Sequence, residues 1–387
     1  MTAVLTISIL LFLLYLVLII YYRRGWVSIP GFRPPAKPAS TRISIIIPAR
    51  NEEKNIKACL DSIAGQSYPA HLFEVLVVND HSTDATAEIV KSYASQNIRL
   101  IDLEEYIDGN LNSYKKKSIE VGIQQSIGEL IVTTDADCIV PVDWLQSIAA
   151  FYELHQPVFI AAPVSINCSN RFIEKFQALD FMVLQGITGA AVHSKMHCMC
   201  NGANLAYEKA AFESVNGFKG IDNIASGDDM LLMHKILKQY PDRVLFLKST
   251  NAIVQTAPVH SFREFFQQRI RWASKADKFE DKSLFPVLLV VYLFNLMMLM
   301  LPMIAIFKNY QFTIVNLQLS ILAVWLSMLL LKTLIELFFL YPVAKFFGKQ
   351  NMLAIFPLMQ PFHILYTVIA GWLGRFGSYE WKGRKVK

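Results

Sequence analysis

Ile43-Ser44-Ile45-Ile46-Ile47-Pro48-Ala49-Arg50-Asn51-Glu52 opens with isoleucine at four of its first five positions and closes on a proline and three polar residues. A β-branched run without polar alternation reads as a strand buried on both faces, and Pro48 ends it in a loop. Apolar residues at helical spacing follow within 52–64 (Ile56, Leu60, Ile63). The pattern then recurs. A strand over 73–78 ends at Asn79-Asp80, a helix covers 83–95, and a short strand covers 98–102. A third helix is expected over 118–126, and a strand over 129–134 closes on Asp135-Ala136-Asp137. Strands alternating with helices predict an α/β, Rossmann-like, mostly parallel sheet with helices on both faces. Such sheets bind ligands at the carboxyl ends of their strands. Three strand ends here deliver polar residues: Pro48 to Glu52, Asn79-Asp80, and Asp135-Ala136-Asp137.

Outward from this core the composition changes. The chain has 387 residues, 53% of them hydrophobic, more than a soluble globular domain carries. Its net charge of +6 is unevenly spread. Residues 1–42 carry +5, residues 284–387 carry +7, and the middle carries −6. Basic excess beside apolar segments points to a membrane surface and away from nucleic acid. Val4 to Tyr22 is uncharged and long enough to span a bilayer. No Lys or Arg precedes it and no small-x-small cleavage site follows, so it reads as a retained anchor with Arg23-Arg24 in the cytoplasm.

Further apolar segments cover 284–306, 314–331 (extending to 340 if the helix runs on), and 352–373. Three crossings would put the C-terminus outside, whereas the five basic residues after Leu373 argue for inside. Pro357 and Pro361 interrupt the last segment, and Lys332 and Glu336 sit near the end of the one before, so three or four spans fit. The expected organisation is an anchor over 1–24, a Pro-rich basic linker over 25–41, a catalytic domain over 42–282, and a membrane domain of two to three helices over 283–387.

In extended backbone, Asp135 and Asp137 point to the same side. Paired carboxylates repel unless a cation lies between them, and Mg²⁺ or Mn²⁺ bridging a diphosphate suits such oxygen ligands. A solvated turn capping the next helix is the structural alternative. Asp80 lies before any cap position, whereas Ser82 or Thr83 fits as the cap of the helix that follows and Asp84 as compensation of its dipole in the first turn. Ser226-Gly227-Asp228-Asp229 precedes a helix, where adjacent acids serve either as a cap or as a general base. Gln267-Gln268-Arg269-Ile270-Arg271-Trp272 stands just before the membrane segment, as an interfacial Arg/Trp belt or as groups facing a leaving diphosphate and an acceptor. The five cysteines, between Cys59 and Cys200, read as reduced and partly buried; no second Cys/His pair gives Cys198-Met199-Cys200 a zinc-site spacing.

Taken in order, these elements resemble the membrane-bound family 2 glycosyltransferases of the GT-A fold, in their polysaccharide-synthase branch. The resemblance covers about 42–275 and rests on 46–52, on Val77 to Asp84, and on Lys115-Lys116. It continues through Thr134-Asp135-Ala136-Asp137, Asn201-Gly202-Ala203-Asn204, Gly227-Asp228-Asp229 and Gln268-x-x-Arg271-Trp272. The Trp381-Lys382-Gly383-Arg384 ending also looks like that branch.

The resemblance implies that Pro48, Ala49, Arg50, Glu52 and Asp80 hold the nucleoside and that Asp135 faces ribose and phosphates. By the same resemblance Asp137, with Asp135, binds Mg²⁺ or Mn²⁺, and Lys115 or Lys116, with Asn204, contacts the nucleotide-sugar. Asp229 is the implied base, beside Asp228, and Gln268, Arg271 and Trp272 close over leaving group and acceptor. Tyr114 stands where the family has Gly before the lysine, and Gly227-Asp228-Asp229 replaces the commoner Glu-Asp.

The implied activity is inverting transfer from a nucleotide-sugar, by default a UDP-sugar, to a lipid-linked or polysaccharide acceptor. It would take place at a bacterial-type cytoplasmic membrane, with the catalytic domain cytosolic and with membrane lipids or synthase and export proteins as partners. A metal-dependent nucleotidyltransferase and a non-catalytic membrane protein keeping the fold are the competing readings.

Overall fold

The computed structural model describes residues 2–35, 38–93, 97–107, 111–197, 199–224, 227–274, 283–307, 311–314, 317–376, 379–381 and 384–386. Ser226, Cys198 and the Lys382-Gly383 pair lie outside these residues. The chain packs as two compact units, one of residues 29–168 with 191–258, the other of 1–28 with 169–190 and 259–387. Elements are numbered along the chain.

The first unit is built on a seven-stranded sheet. Its strands are β1 (Ile43–Ala49), β2 (Phe73–Asn79), β3 (Ile98–Asp102), β4 (Leu130–Thr133), β6 (Phe159–Ala161), β8 (Leu205–Glu208) and β9 (Val244–Phe246), in the order β3-β2-β1-β4-β8-β6-β9. The first four are mutually parallel; β8 runs antiparallel to both β4 and β6, and β9 is parallel to β6. The isoleucines of β1 are the reason it lies centrally, for Ile43, Ile45, Ile46 and Ile47 are all buried. Pro48 does not end the strand as the sequence suggested. β1 continues to Ala49 in register with Asn79, and its pairing with β4 stops at Ile46↔Thr133, so no ladder bond from that side calls on residue 48.

A second sheet joins β5 (Cys138–Ile139), β10 (Val254–Thr256) and β7 (Val164–Ile166), in the order β5-β10-β7. Helices α2 (Ile56–Ala64), α3 (Thr86–Lys91), α4 (Tyr114–Gln124), α5 (Trp144–His155), α7 (Lys209–Ser214) and α8 (Met230–Gln239) complete the unit. This is the α/β GT-A architecture.

The second unit contains α1 (Thr2–Ser28), α6 (Phe172–His193) through Ala190, α9 (Phe262–Ala273), α10 (Leu284–Phe307), α11 (Ile321–Phe346) and α12 (Phe356–Phe376). Among the described residues four helices are long and apolar enough to cross a membrane: Ala3–Ser28, Leu284–Ile306, Ile321–Phe346 and Gln350–Arg375. α11 runs on to Phe346 through the charges that looked like its end. The Lys332 ammonium lies 2.6 Å from Glu336 Oε1 and donates to Gln360 Oε1 at 2.7 Å. Gln360 Nε2 and the Tyr15 hydroxyl in turn donate to the Glu336 carboxylate. Buried charges in an apolar bundle persist only when paired and hydrogen-bonded, and this set ties α11 to α1 and α12.

Breaking the pair leaves one charge stranded. Lys332→Met and Glu336→Leu are each expected to cost roughly 3 kcal/mol, and the Lys332→Met/Glu336→Gln double variant to recover most of it. Thermal unfolding in detergent checks this; singles as stable as the parent chain would contradict it.

Candidate active site

The ends of β1 and β2 are knitted together by short polar side chains. Asn51 and His81, the turn residues after each strand, both have φ of 53°, which asparagine and histidine tolerate better than most residues. Asn51 Oδ1 accepts from the Thr83 amide at 2.8 Å, and the Asn51 amide donates to Ser82 Oγ at 3.0 Å. Asp84 accepts from the amides of Glu53 and Thr86, each at 3.1 Å. Burial opposes its ionisation, but these bonds and the Thr86 hydroxyl hold its carboxyl below the ordinary range. Asp84 therefore fastens the loop ahead of the helix, whose first-turn acid is Glu88 instead. The helix that follows is only Thr86–Lys91, because 83–85 are spent on this loop.

Asp80 is 4% exposed. Its Oδ1 lies 2.9 Å from His81 Nδ1 and 3.6 Å from Arg50, whose guanidinium also donates to the Asp80 carbonyl at 3.3 Å. The Asp80 amide donates to the Ala49 carbonyl at 2.8 Å. Pro48, Ala49, Arg50 and Asp80 thus form one contiguous edge, with the His81 ring edge-on to Tyr114. Glu52 accepts from Asn55 at 3.0 Å and donates its own amide to Thr86 Oγ1 at 2.8 Å.

Beside this edge four stretches of chain meet. Lys115, in the first turn of α4, lies 2.7 Å from Asp135 Oδ1 and 3.3 Å from Asp228 Oδ2. Burial pulls its pKa down, but the charges of Asp135, Asp228 and Asp229 outweigh that and push it above the ordinary lysine value. Gly202 faces the same spot. A Cβ there would stand 3.3 Å from Asp228 Oδ2, 3.4 Å from Lys115 Nζ and 3.7 Å from Asp229 Cβ. Its amide donates to Asp229 Oδ2 at 3.2 Å, while Asp229 Oδ1 accepts from the Met230 amide at 2.8 Å and so caps α8. Gly227, at φ 82°, makes the turn that delivers both aspartates.

Asp135 and Asp137 sit on the turn between β4 and β5, where the Cys138 amide donates to the Asp135 carbonyl at 3.2 Å. Asp137 Oδ2 is 3.5 Å from Thr256 Oγ1, and Oδ1 is 3.6 Å from Cys138 Sγ. Burial, then the Asp137 and Asp135 charges, raise the Cys138 thiol, so it offers no thiolate to a soft metal. Among the described residues no group of three or more His, Cys, Asp and Glu could hold a metal ion. The donor set that is present, two aspartates on one turn, fits a hard cation that takes its other ligands from a diphosphate and water.

Two profiles match the chain. "Glycosyl transferase family 2" covers residues 44–215, and "Glycosyl transferase family group 2" covers 130–372, more than half of the chain. The chain belongs to the family 2 glycosyltransferases. Glycosyltransferase AglE of Haloferax volcanii is 38% identical over 104 residues, 27% of this chain and 33% of that protein. The poly(ribitol-phosphate) beta-N-acetylglucosaminyltransferase TarS of Staphylococcus aureus is 36% identical over 115 residues, 30% of this chain and only 19% of its own length. The aligned stretches thus span a third or less of these relatives. Among solved structures, the mannosyltransferase PcManGT of Pyrobaculum calidifontis, in complex with GDP-Man and Mn²⁺, superposes with a TM-score of 0.56 over 93% of this chain and 99% of its own, at 19% identity, and shares the fold.

Within this glycosyltransferase the structure separates residues that the sequence could not. Lys115 reaches the carboxylates; Lys116 does not, being 2% exposed with its ammonium donating to the carbonyls of Ile221 and Ile224. Asn204 is likewise engaged elsewhere. It is fully buried, accepts from Trp144 Nε1 at 3.0 Å and donates to the carbonyls of Pro163 and Ala252, both at 2.8 Å. From the same motif it is Gly202 that faces the carboxylates. Thr256, which stands in no motif, and His81, which stands within the Val77 to Asp84 stretch but without a role there, lie against Asp137 and Asp80.

Gln268, Arg271 and Trp272 lie on α9 of the second unit, which a capping box between Ser261 and Glu264 begins. Gln268 Oε1 is buried and accepts no hydrogen bond among the described residues.

Gly202→Val should fill the hollow beside Asp228 and Lys115, raising the donor KM at least about tenfold with little change in unfolding temperature. Asn204→Ala should do the reverse, losing roughly 3 kcal/mol from unsatisfied buried partners while an enzyme that still folds keeps its donor KM. Paired steady-state kinetics and thermal melts distinguish the two; a donor KM shift confined to Asn204→Ala would contradict these placements.

Proposed function

We propose that this chain is a membrane-bound inverting glycosyltransferase that moves a sugar from a nucleotide-sugar, a UDP-sugar by preference, to a lipid-linked or polysaccharide acceptor. The observation that carries this reading is the meeting of Asp135, Asp228 and Asp229 around one ammonium and one glycine, beside the Arg50–Asp80 edge. In the proposal Asp80 and the residues from Pro48 to Glu52 hold the nucleoside, and Asp135 with Lys115 meets the ribose and phosphates. Asp137, with Asp135 beside it, would hold Mg²⁺ or Mn²⁺, whose charge offsets that building on the leaving diphosphate. That the structural relative PcManGT was solved with Mn²⁺ supports this choice.

Asp229 is the base. Asp228 is the poorer candidate because the Lys115 ammonium, 3.3 Å from its Oδ2, already occupies that carboxylate. Each Asp229 oxygen holds one backbone amide and keeps a second lone pair, which fixes the carboxylate and leaves room for an acceptor proton. The acceptor oxygen bonds to the anomeric carbon as the bond from that carbon to the diphosphate oxygen breaks. The hydroxyl proton passes to Asp229, and the nucleoside diphosphate leaves. One displacement inverts the anomeric centre and needs no second carboxylate as nucleophile. Gln268, Arg271 and Trp272 are assigned to the leaving group and the acceptor end by the family resemblance.

The four apolar helices support membrane residence, and Arg23-Arg24 supports a cytoplasmic membrane with the catalytic unit on the cytosolic side. A soluble donor needs no membrane, so the acceptor is the hydrophobic or exported partner. With so few helices, transfer to a lipid or oligosaccharide, or polymer synthesis with a partner protein, fits better than a polymer channel within one chain.

Asp229→Asn should abolish transfer, by at least about 10³-fold if it removes the base and its fixed geometry, while nucleotide binding measured by calorimetry stays within a few-fold. Chelation of divalent cations should stop turnover, and Mn²⁺ should restore it. Turnover retained by Asp229→Asn would remove it from the role.

A further inference from the structure

The second unit holds a buried ion pair that the roles above leave unused. Arg269, on α9, lies 2.6 Å from Asp180 Oδ2 on α6, and both side chains are 4% exposed. The Tyr366 hydroxyl, from α12, donates to the other Asp180 oxygen. The contact is close but not aligned as a hydrogen bond, for Asp180 Oδ2 and the three guanidinium nitrogens make none among the described residues, so it is the attraction of opposite charges in a buried setting that holds Arg269 in place. What depends on it here is an indole. The Arg269 guanidinium carbon stands 4.1 Å from the Trp272 ring centroid, with the Phe265 ring 4.8 Å away on the same helix. Phe181, the neighbour of Asp180 in sequence, brings its ring within 6.1 Å of the same indole.

Residues three apart on a helix share a face, so Arg269 and Trp272 are placed to touch, but a free arginine would sample many rotamers. Asp180 and Tyr366 remove that freedom. A guanidinium so placed, over the ring and desolvated, attracts the π face more strongly than an exposed one and holds the indole in one orientation. A lysine could keep the charge but not the planar stack.

We propose that Arg269, oriented by Asp180 and Tyr366, is a positioning residue for Trp272. It fixes the indole through a cation–π contact and touches no substrate itself. The proposal rests on the reading above that Trp272 acts at the acceptor end, and it adds the side chains through which the membrane unit sets the orientation of that ring.

The test uses the full chain in lipid nanodiscs, labelled with fluorotryptophan, with the Trp272 fluorine line assigned by its loss in Trp272→Phe. Turnover is followed as nucleoside diphosphate released from a nucleotide-sugar in the presence of membrane lipid. Arg269→Lys and Asp180→Asn should broaden or move the Trp272 line and leave the other five tryptophans in place. They should lower kcat about tenfold or more with donor KM within about twofold. Tyr366→Phe, the mildest change, should act in the same direction and covers the case in which the charge variants fold poorly. An unmoved Trp272 line and an unchanged kcat in variants that fold would overturn the proposal. Full turnover by Trp272→Ala would instead overturn the reading on which it rests, whatever the line does.

Discussion

Lys115 sits between Asp135 and Asp228, 2.7 Å from one and 3.3 Å from the other, and the rest of the site depends on that ammonium. Carboxylates arriving from the end of β4 and the start of α8 would repel one another in a half-buried hollow. One counter-charge in the first turn of α4 offsets that repulsion. The balance is visible on the lysine itself: burial pulls its pKa down, and the three aspartates more than offset that. Gly202 then matters because any side chain there would intrude on the ammonium and its partners.

This arrangement explains why the sheet is built as it is. The parallel strands β1, β2 and β4 end together and deliver Arg50, Asp80 and Asp135 to one edge, as strand ends of open α/β sheets do. The antiparallel β8 brings the segment before it, with Gly202 and Asn204, up to the end of β4. Asn204 does its work behind the site, joining Trp144, Pro163 and Ala252 so that the loop holding Gly202 stays in place.

Much of this was legible in the sequence, and the exceptions have physical reasons. β1, β2 and β4 announce themselves because buried central strands need unbroken apolar runs, and their polar ends stand out by contrast. The short strands from β6 to β10 carry three or four residues each, too few for a period to show. The choice between Lys115 and Lys116 could not be made from adjacency alone, because successive helical residues point about 100° apart and only packing selects which faces the acids. Asn204 looked like a ligand because a polar residue in a motif invites that role, and nothing in the sequence reveals its three buried partners. Lys332 and Glu336 looked like the end of a span. They lie within α11 because each satisfies the other, and a pair at i and i+4 also draws in Gln360 and Tyr15 from distant helices. The Arg269–Asp180 pair was invisible for the same reason, its partners being far apart in the chain.

In the proposed function, the aspartates gathered around Lys115 transfer a sugar from a nucleotide donor. The most direct measurement incubates the purified full chain with Mn²⁺ and a panel of nucleotide-sugars, with and without membrane lipid, and follows release of nucleoside diphosphate. Release from at least one donor is expected, accelerated by lipid that carries an acceptor. No release from any donor under either condition would contradict it.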